Sequence, residues 1–379
     1  MCSEFVPGAG MRNSRSRAVV LTGFVVGAVF GIAHAQSPPS RTQPSSGTEI
    51  LFLGTAGGPP LRENRSEPST LLTVDGRAYL IDCGIGTIRR MVEAGISSED
   101  VKVVFFTHLH ADHDLGLADV MANDFFRLNM TGSSQTIDIY GPPQTAELVD
   151  AAFHYITIGF RPFAAEPGAI GKGLVNGKFK NQFVAHEIQR DGLVYSDDRI
   201  RVFATENTHY ALMSVENRRA MKSYSFRIET PHGAVVFTGD TGSNDAVVHL
   251  ATGADVLITE VEDAGQITQF VSEMAEKNHW QPERAAALAT HLRQEHMDEQ
   301  DVGMMATKAN AKSVVLYHYD PSDPSAYVAA VKKYFAGPVF APADLDRYCM
   351  GKTDAKSPAK AVTLRPCGTR RGPVAPKER

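Results

Sequence analysis

The run Thr107-His108-Leu109-His110-Ala111-Asp112-His113 constrains this chain more than any other stretch. Three imidazoles and one carboxylate fall within six positions, directly after Val101-Lys102-Val103-Val104-Phe105-Phe106. That run is β-branched and aromatic, the composition of a buried strand. A His-x-His pair on the turn after a strand lets both rings converge on one point. Asp112 and His113 face a second point a few ångströms off. Imidazole with carboxylate suits zinc or a similar first-row metal. The alternative is a polar loop whose histidines cluster by chance.

Partners for such a site come from distant parts of the chain, in one repeated setting. Asp82 ends Ala78-Tyr79-Leu80-Ile81, and His209 follows Ile200-Arg201-Val202-Phe203-Ala204. Asp240 ends Ala234-Val235-Val236-Phe237-Thr238-Gly239, and His318 ends Ser313-Val314-Val315-Leu316-Tyr317. Each is a lone metal-capable side chain just past a strand-like run, where open α/β sheets place their sites. Singly, His209 reads equally as a ligand or a loop histidine, and Asp240 as an ordinary turn residue.

Taken together, His108-x-His110-x-Asp112-His113 with Asp82, His209, Asp240 and His318 resembles the metallo-β-lactamase superfamily, most closely its ribonuclease Z and arylsulfatase-like branch. Phe52-Leu53-Gly54-Thr55-Ala56-Gly57-Gly58, Leu80-Ile81-Asp82-Cys83-Gly84 and Phe237-Thr238-Gly239-Asp240-Thr241 match that branch, over about Glu49 to Tyr348. The resemblance implies a four-layer αββα sandwich of the α/β class. It assigns His108, His110 and His209 to one divalent metal and Asp112, His113 and His318 to a second. Asp240 then bridges the two, and Asp82 orients the metal loop from behind. Zinc is the first choice, with manganese or iron alternatives.

The implied chemistry is hydrolysis by a hydroxide held between the metals. Asp112 and His296 are the expected catalytic residues, His296 protonating the departing oxygen, a role worth ~10²–10⁴-fold. His296 precedes a helix reaching Ala306, with an acidic first turn over Asp298 to Asp301. Two positions depart from ribonuclease Z. Asp298 stands where a small hydroxyl residue is usual, and Glu260-Val261 stand where a histidine and alanine are expected.

The N-terminus indicates export. Met1 and Met11 are both candidate starts. Arg12, Arg15 and Arg17 precede an apolar stretch from Ala18 to Ile32, and Ala33-His34-Ala35 follows. Basic region, short apolar core and Ala-x-Ala site make a secretory signal peptide over residues 1–35. Fifteen apolar residues fall short of the ~20 of a spanning helix, so no stable membrane span is expected after cleavage. The chain is then periplasmic or secreted. Residues 36–47 read as a flexible Ser/Pro-rich leader, 48–348 as the hydrolase domain and 349–379 as a polar tail. In an oxidising compartment Cys349 and Cys367 could pair and tie that tail down; unpaired thiols are the alternative.

Charge and length bear on the substrate. The chain has 38 basic and 43 acidic residues; without residues 1–35 these become 35 and 42, a balance of −7. A protein gripping folded RNA carries a basic patch, whereas Arg218-Arg219 and Lys332-Lys333 are small clusters. The resemblance places a gripping arm between His209 and Asp240, and 31 residues leave no room for one. The 96 residues from His113 to His209 are long. They suggest a helix over Gly116 to Leu128, another over Thr145 to Phe153, and a loop over the metals from Tyr155 to Phe183. The expected function is therefore an exported dinuclear hydrolase of small phosphodiester or sulfate esters. Its expected partner is a small anionic ester rather than a nucleic acid, with a homodimer as an allowed assembly. A β-lactam hydrolase and a ribonuclease Z-type endonuclease are the alternatives.

Overall fold

A computed structural model describes residues 46–131, 135–166, 180–320, 323–352 and 362–368. The expected signal peptide and nearly all of the leader lie outside them. The strands, in chain order, begin with β1 (Thr48–Gly54), β2 (Ser69–Val74), β3 (Arg77–Ile81), β4 (Val101–Phe105) and β5 (Ile137–Gly141). Next come β6 (Phe183–Glu187), β7 (Gly192–Ser196), β8 (Arg201–Glu206), β9 (Tyr224–Thr230) and β10 (Gly233–Phe237). The last are β11 (Val256–Thr259), β12 (Val314–Leu316), β13 (Val339–Phe340), β14 (Arg347–Lys352) and β15 (Val362–Gly368). Among the described residues they form two mixed sheets, ordered β15-β14-β1-β2-β3-β4-β5-β6 and β13-β12-β11-β10-β9-β8-β7.

The side-chain alternation explains why the sheets stack. In β1, Ile50 and Phe52 join the cluster between the sheets, while Leu51 and Leu53 face the helices outside the first sheet. In β10, Val235 and Phe237 point inward while Val236 packs outward. Strands apolar on both faces must be covered on both. Helices α1 (Thr87–Glu93), α3 (Leu117–Thr131) and α4 (Thr145–Ala165) lie on the first sheet's side of the core, with Met91, Phe125 and Val149 buried there. Val247, Met305 and Val331, from helices Asp245–Leu250, Glu299–Lys308 and Ser325–Val331, cover the second. The result is the αββα sandwich.

The two sheets are tied at the N-terminal end of β3. Asp197, in the turn between β7 and β8, accepts from the Tyr79 hydroxyl (2.6 Å), the Tyr195 hydroxyl (2.8 Å) and Arg77 Nη1 (2.9 Å). Its other oxygen accepts from the Arg199 and Ile200 amides at 2.7 and 2.9 Å. These donors outweigh the opposing effect of burial and lower the Asp197 pKa to about 2.

Several expectations shift. The helix foreseen over Thr145 to Phe153 continues to Ala165, so the start of the supposed loop from Tyr155 is helical. Pro162 lies inside that helix, and with Gly159 it hides the continuation from a sequence reading. Of that stretch, residues 167–179 lie outside the described residues. The foreseen boundary at 348 falls inside β14, and β15 adds part of the tail to the sheet edge. Cys349 and Cys367 are joined in a disulfide, 18 positions apart. Among the described residues no helix is long and apolar enough to cross a membrane.

Candidate metal centre

All seven expected ligands lie past the C-terminal end of a strand, on one rim of the sandwich. His108, His110, Asp112 and His113 follow β4, the last two within the short helix α2 (Ala111–Asp114). His209 follows β8, Asp240 follows β10 and His318 follows β12. Thus one sheet presents four ligands and the other three. Two of the overlapping groups they form are His108/His110/His209 and Asp112/His113/His318, each with all ligand atoms within 4.8 Å of one another.

Asp240 lies between the groups. Its Oδ2 is 3.9 Å from His108 Nε2, 4.0 Å from His209 Nε2 and 3.3 Å from His318 Nε2. Its Oδ1 is 3.4 Å from His113 Nε2. Asp112 Oδ2 lies 3.2 Å from His318 Nε2 and 3.6 Å from His113 Nε2. His110 Nδ1 is 3.0 Å from His209 Nε2.

Surrounding groups fix the rings. Asp82 Oδ2 accepts from His113 Nδ1 at 3.0 Å, and its carboxylate also takes the Thr107 amide (2.8 Å) and hydroxyl (2.9 Å). That turns His113 Nε2 toward the centre. His209 Nδ1 donates to the Glu295 carbonyl at 3.0 Å, with the same consequence for its Nε2. Glu295 Oε1 accepts from the Leu212 amide (2.7 Å), holding the loop beyond His209. Asp82 (φ 54°) and His318 (φ 49°) both adopt left-handed backbone conformations. Non-glycine residues persist there when surroundings over-determine them, and such strain gathers at functional sites.

The donor set fits metal ions. His108 Nε2, His113 Nε2 and Asp240 Oδ1 are buried with no hydrogen-bond partner among the described residues. Leaving such atoms unsatisfied costs about 1–3 kcal/mol each, and a cation would satisfy all three. The electrostatics agree. Burial holds His108 and His209 well below their ordinary pKa, the neutral state a metal needs. Burial also opposes charge on His113 and His318, yet Asp240 and Asp112 overcome it and raise both, His318 to about 10. Buried carboxylates here draw positive charge onto whatever can carry it.

Next to Asp240 lies a pair that the sequence reading treated as unrelated. His296 Nδ1 is 2.5 Å from Glu260 Oε2, and Glu260 Oε1 accepts from the Thr241 amide at 2.5 Å. Glu260 is fully buried. It orients His296 and pins the loop beyond Asp240, so it is more than a departure from a family pattern. Burial opposes protonation of His296, but Glu260 prevails and raises its pKa to about 9. Its ligand-type atom groups with those of His209 and Asp240. Asp298 caps the helix Glu299–Lys308 instead, accepting from the Asp301 amide at 2.9 Å. Cys83 is buried and free, with burial raising its pKa.

Comparison with known proteins adds to this geometry. A family model described as the beta-lactamase superfamily domain matches residues 77–319. The chain is 28% identical to a ribonuclease Z of Mycobacterium marinum over 72% of this chain and 87% of that protein. It is 27% identical to a ribonuclease Z of Pyrococcus furiosus over 80% of this chain and 96% of that one. In fold it is similar to a metallo-β-lactamase fold protein from Bacillus subtilis, at TM-score 0.55, 17% identity, 80% of this chain and 100% of the other. It is also similar to the short form of human tRNase Z, at TM-score 0.53, 21% identity, 79% of this chain and 98% of the other. These relatives overturn one expectation, that no nucleic acid is a partner: proteins named for RNA cleavage match most of the chain. Net charge is a poor guide here, because it averages over the whole surface.

Proposed function

The chain belongs to the beta-lactamase superfamily, and from that membership we propose that it is a dinuclear metal-dependent phosphodiester hydrolase acting on RNA. The observation that carries the hydrolase reading is Asp240, set between two ligand triads and beside His296. The RNA reading draws on ribonuclease Z relatives matched over most of their length.

In this reading His108, His110 and His209 would hold one divalent ion and Asp112, His113 and His318 the other, with Asp240 between the two groups. Bound there, two such ions, zinc first among them, lower the pKa of water and neutralise phosphate charge. The rest is the work of side chains. Asp82 holds His113 Nδ1 and so keeps Nε2 aimed at the metal position. Glu260 holds His296 protonated near neutral pH, so it is charged when the phosphorus–oxygen bond breaks. The departing oxygen takes its proton from His296, while the water oxygen ends on phosphorus.

A second reading, a small phosphodiester or sulfate ester, has one observation in its favour. Between His209 and Asp240 the chain holds only the six-residue helix Val215–Ala220 and the β9–β10 hairpin, with no projecting arm. The test is a panel on zinc- or manganese-loaded protein: a 3′-extended RNA, bis(p-nitrophenyl) phosphate, p-nitrophenyl sulfate and a cephalosporin. We expect chelator-sensitive cleavage of both phosphodiesters with the highest kcat/KM on RNA. A higher value on the sulfate or the cephalosporin would overturn the proposal. We further infer that the enzyme works in an oxidising compartment, a reading supported by the disulfide. N-terminal sequencing of exported protein should begin near Gln36; an intact Arg12–Ala35 segment on soluble protein would refute this.

A further inference from the structure

We propose that a cationic cleft beside the helix Val215–Ala220 anchors the phosphate backbone of an RNA strand whose scissile bond lies over Asp240. The inference rests on the RNA reading above.

The cleft has a volume of about 390 Å³ and is lined by Gln189, Glu206, Val215, Arg218, Arg219 and Lys222. Glu206 is paired with Lys222. Arg218 and Arg219 are exposed and form no ion pair among the described residues, although Glu216 shares their helix and Asp191 lies beside Glu206. The helix that carries them buries none of its residues. Its side chains therefore contribute little to packing, and a pair of adjacent arginines there is free to serve a ligand.

The cleft lies on the metal rim. Glu206 ends β8 three residues before His209, a span of ~10 Å at most. Lys222 lies two residues before Tyr224, whose amide donates to the Thr107 carbonyl at 2.8 Å, next to His108. Gln189 follows β6, which runs parallel to β5 and β4 and so ends at the same rim. Guanidinium groups in such a cleft match phosphate oxygens in shape and charge.

Beyond His296 and His318 the rim carries acidic side chains. Glu262 bridges to Asp298, two residues past His296, and Asp320 lies two residues past His318, paired with Arg62. Asp263 and Glu299 extend this acidic stretch. A polyanion is attracted at Arg218 and Arg219, so the strand runs from Asp240 along the β8 side of the rim.

The test is inhibition of bis(p-nitrophenyl) phosphate hydrolysis by a 12-nucleotide single-stranded RNA, using the metal-loaded full chain. In R218A/R219A the Ki for RNA should rise about tenfold. The slope of log affinity against log salt should shrink by about 1.4, two contacts at ~0.7 each for a single strand. The small diester is too short to reach the cleft and should keep its kcat/KM within twofold. R218K/R219K should retain most of the RNA affinity. An unchanged Ki in the alanine variant, an equal loss in the lysine variant, or no inhibition of the unaltered enzyme overturns the inference. If the small diester is not hydrolysed at all, the hydrolase reading itself falls.

Discussion

At the scale of single residues, the site's roles separate by what each side chain touches. Asp240 faces ligands of both triads and His296 faces Glu260. Asp240→Ala should therefore lose metal and activity together, while His296→Ala should keep about two metals per chain and lose ~10²–10⁴-fold in kcat. Metal analysis beside turnover separates the two; equal metal loss in both variants would defeat the assignment. The Glu260 charge supports the proton on His296, so Glu260→Gln should move the alkaline limb of the kcat profile to lower pH. The shift should appear with a poor leaving group and vanish with a good one, which departs without a proton. The candidate ligands were legible because four cluster in His108-x-His110-x-Asp112-His113 and His209, Asp240 and His318 each stand alone after an apolar run. Glu260 was not, since a carboxylate's partner is a matter of folding: residues 260 and 296 meet only once β11 and the chain before the helix Glu299–Lys308 converge.

Among the elements, strands were easier to foresee than helices. The run Val101 to Phe106 forms β4 close to expectation, because a continuous β-branched and aromatic run marks a strand buried on both faces. Helix α4 was truncated in the reading by Gly159 and Pro162, local signals that tertiary packing of Phe160 against Phe125 overrides. The loop after β1 depends on close approach instead. A Cβ on Gly58 would lie 2.2 Å from the Asp112 Cβ. Gly58→Ala should displace Asp112 and lower metal content from two toward one, with the melting temperature little changed. Full metal content in that variant would show that the loop can yield.

For the whole molecule, Asp197 and the metal rim hold the two sheets at different places. The Asp197 carboxylate is 14% exposed and its pKa falls to about 2 in the fold. A lowered carboxylate pKa stabilises the fold fully above the unfolded value near 4. The contribution fades as pH drops from there toward 2. With solvent screening we expect about 1–2 kcal/mol, so Asp197→Asn should melt lower at neutral pH and converge with the parent near pH 2. A constant gap across that range would contradict it.

The division of ligands between sheets has a kinetic corollary. A cation gripped by His108 and His209, or by His113 and His318, is clamped by two separate slabs of structure, so neither slab alone can release it. Its departure must wait for the rim to gape, and metal exchange becomes a clock for that motion. Amide hydrogen exchange on the metal-free protein should quicken around residues 107–113, 207–211 and 239–242 while β1 and β2 remain slow. In the loaded protein, the off-rate of metal and the exchange rate of those amides should then rise together with temperature.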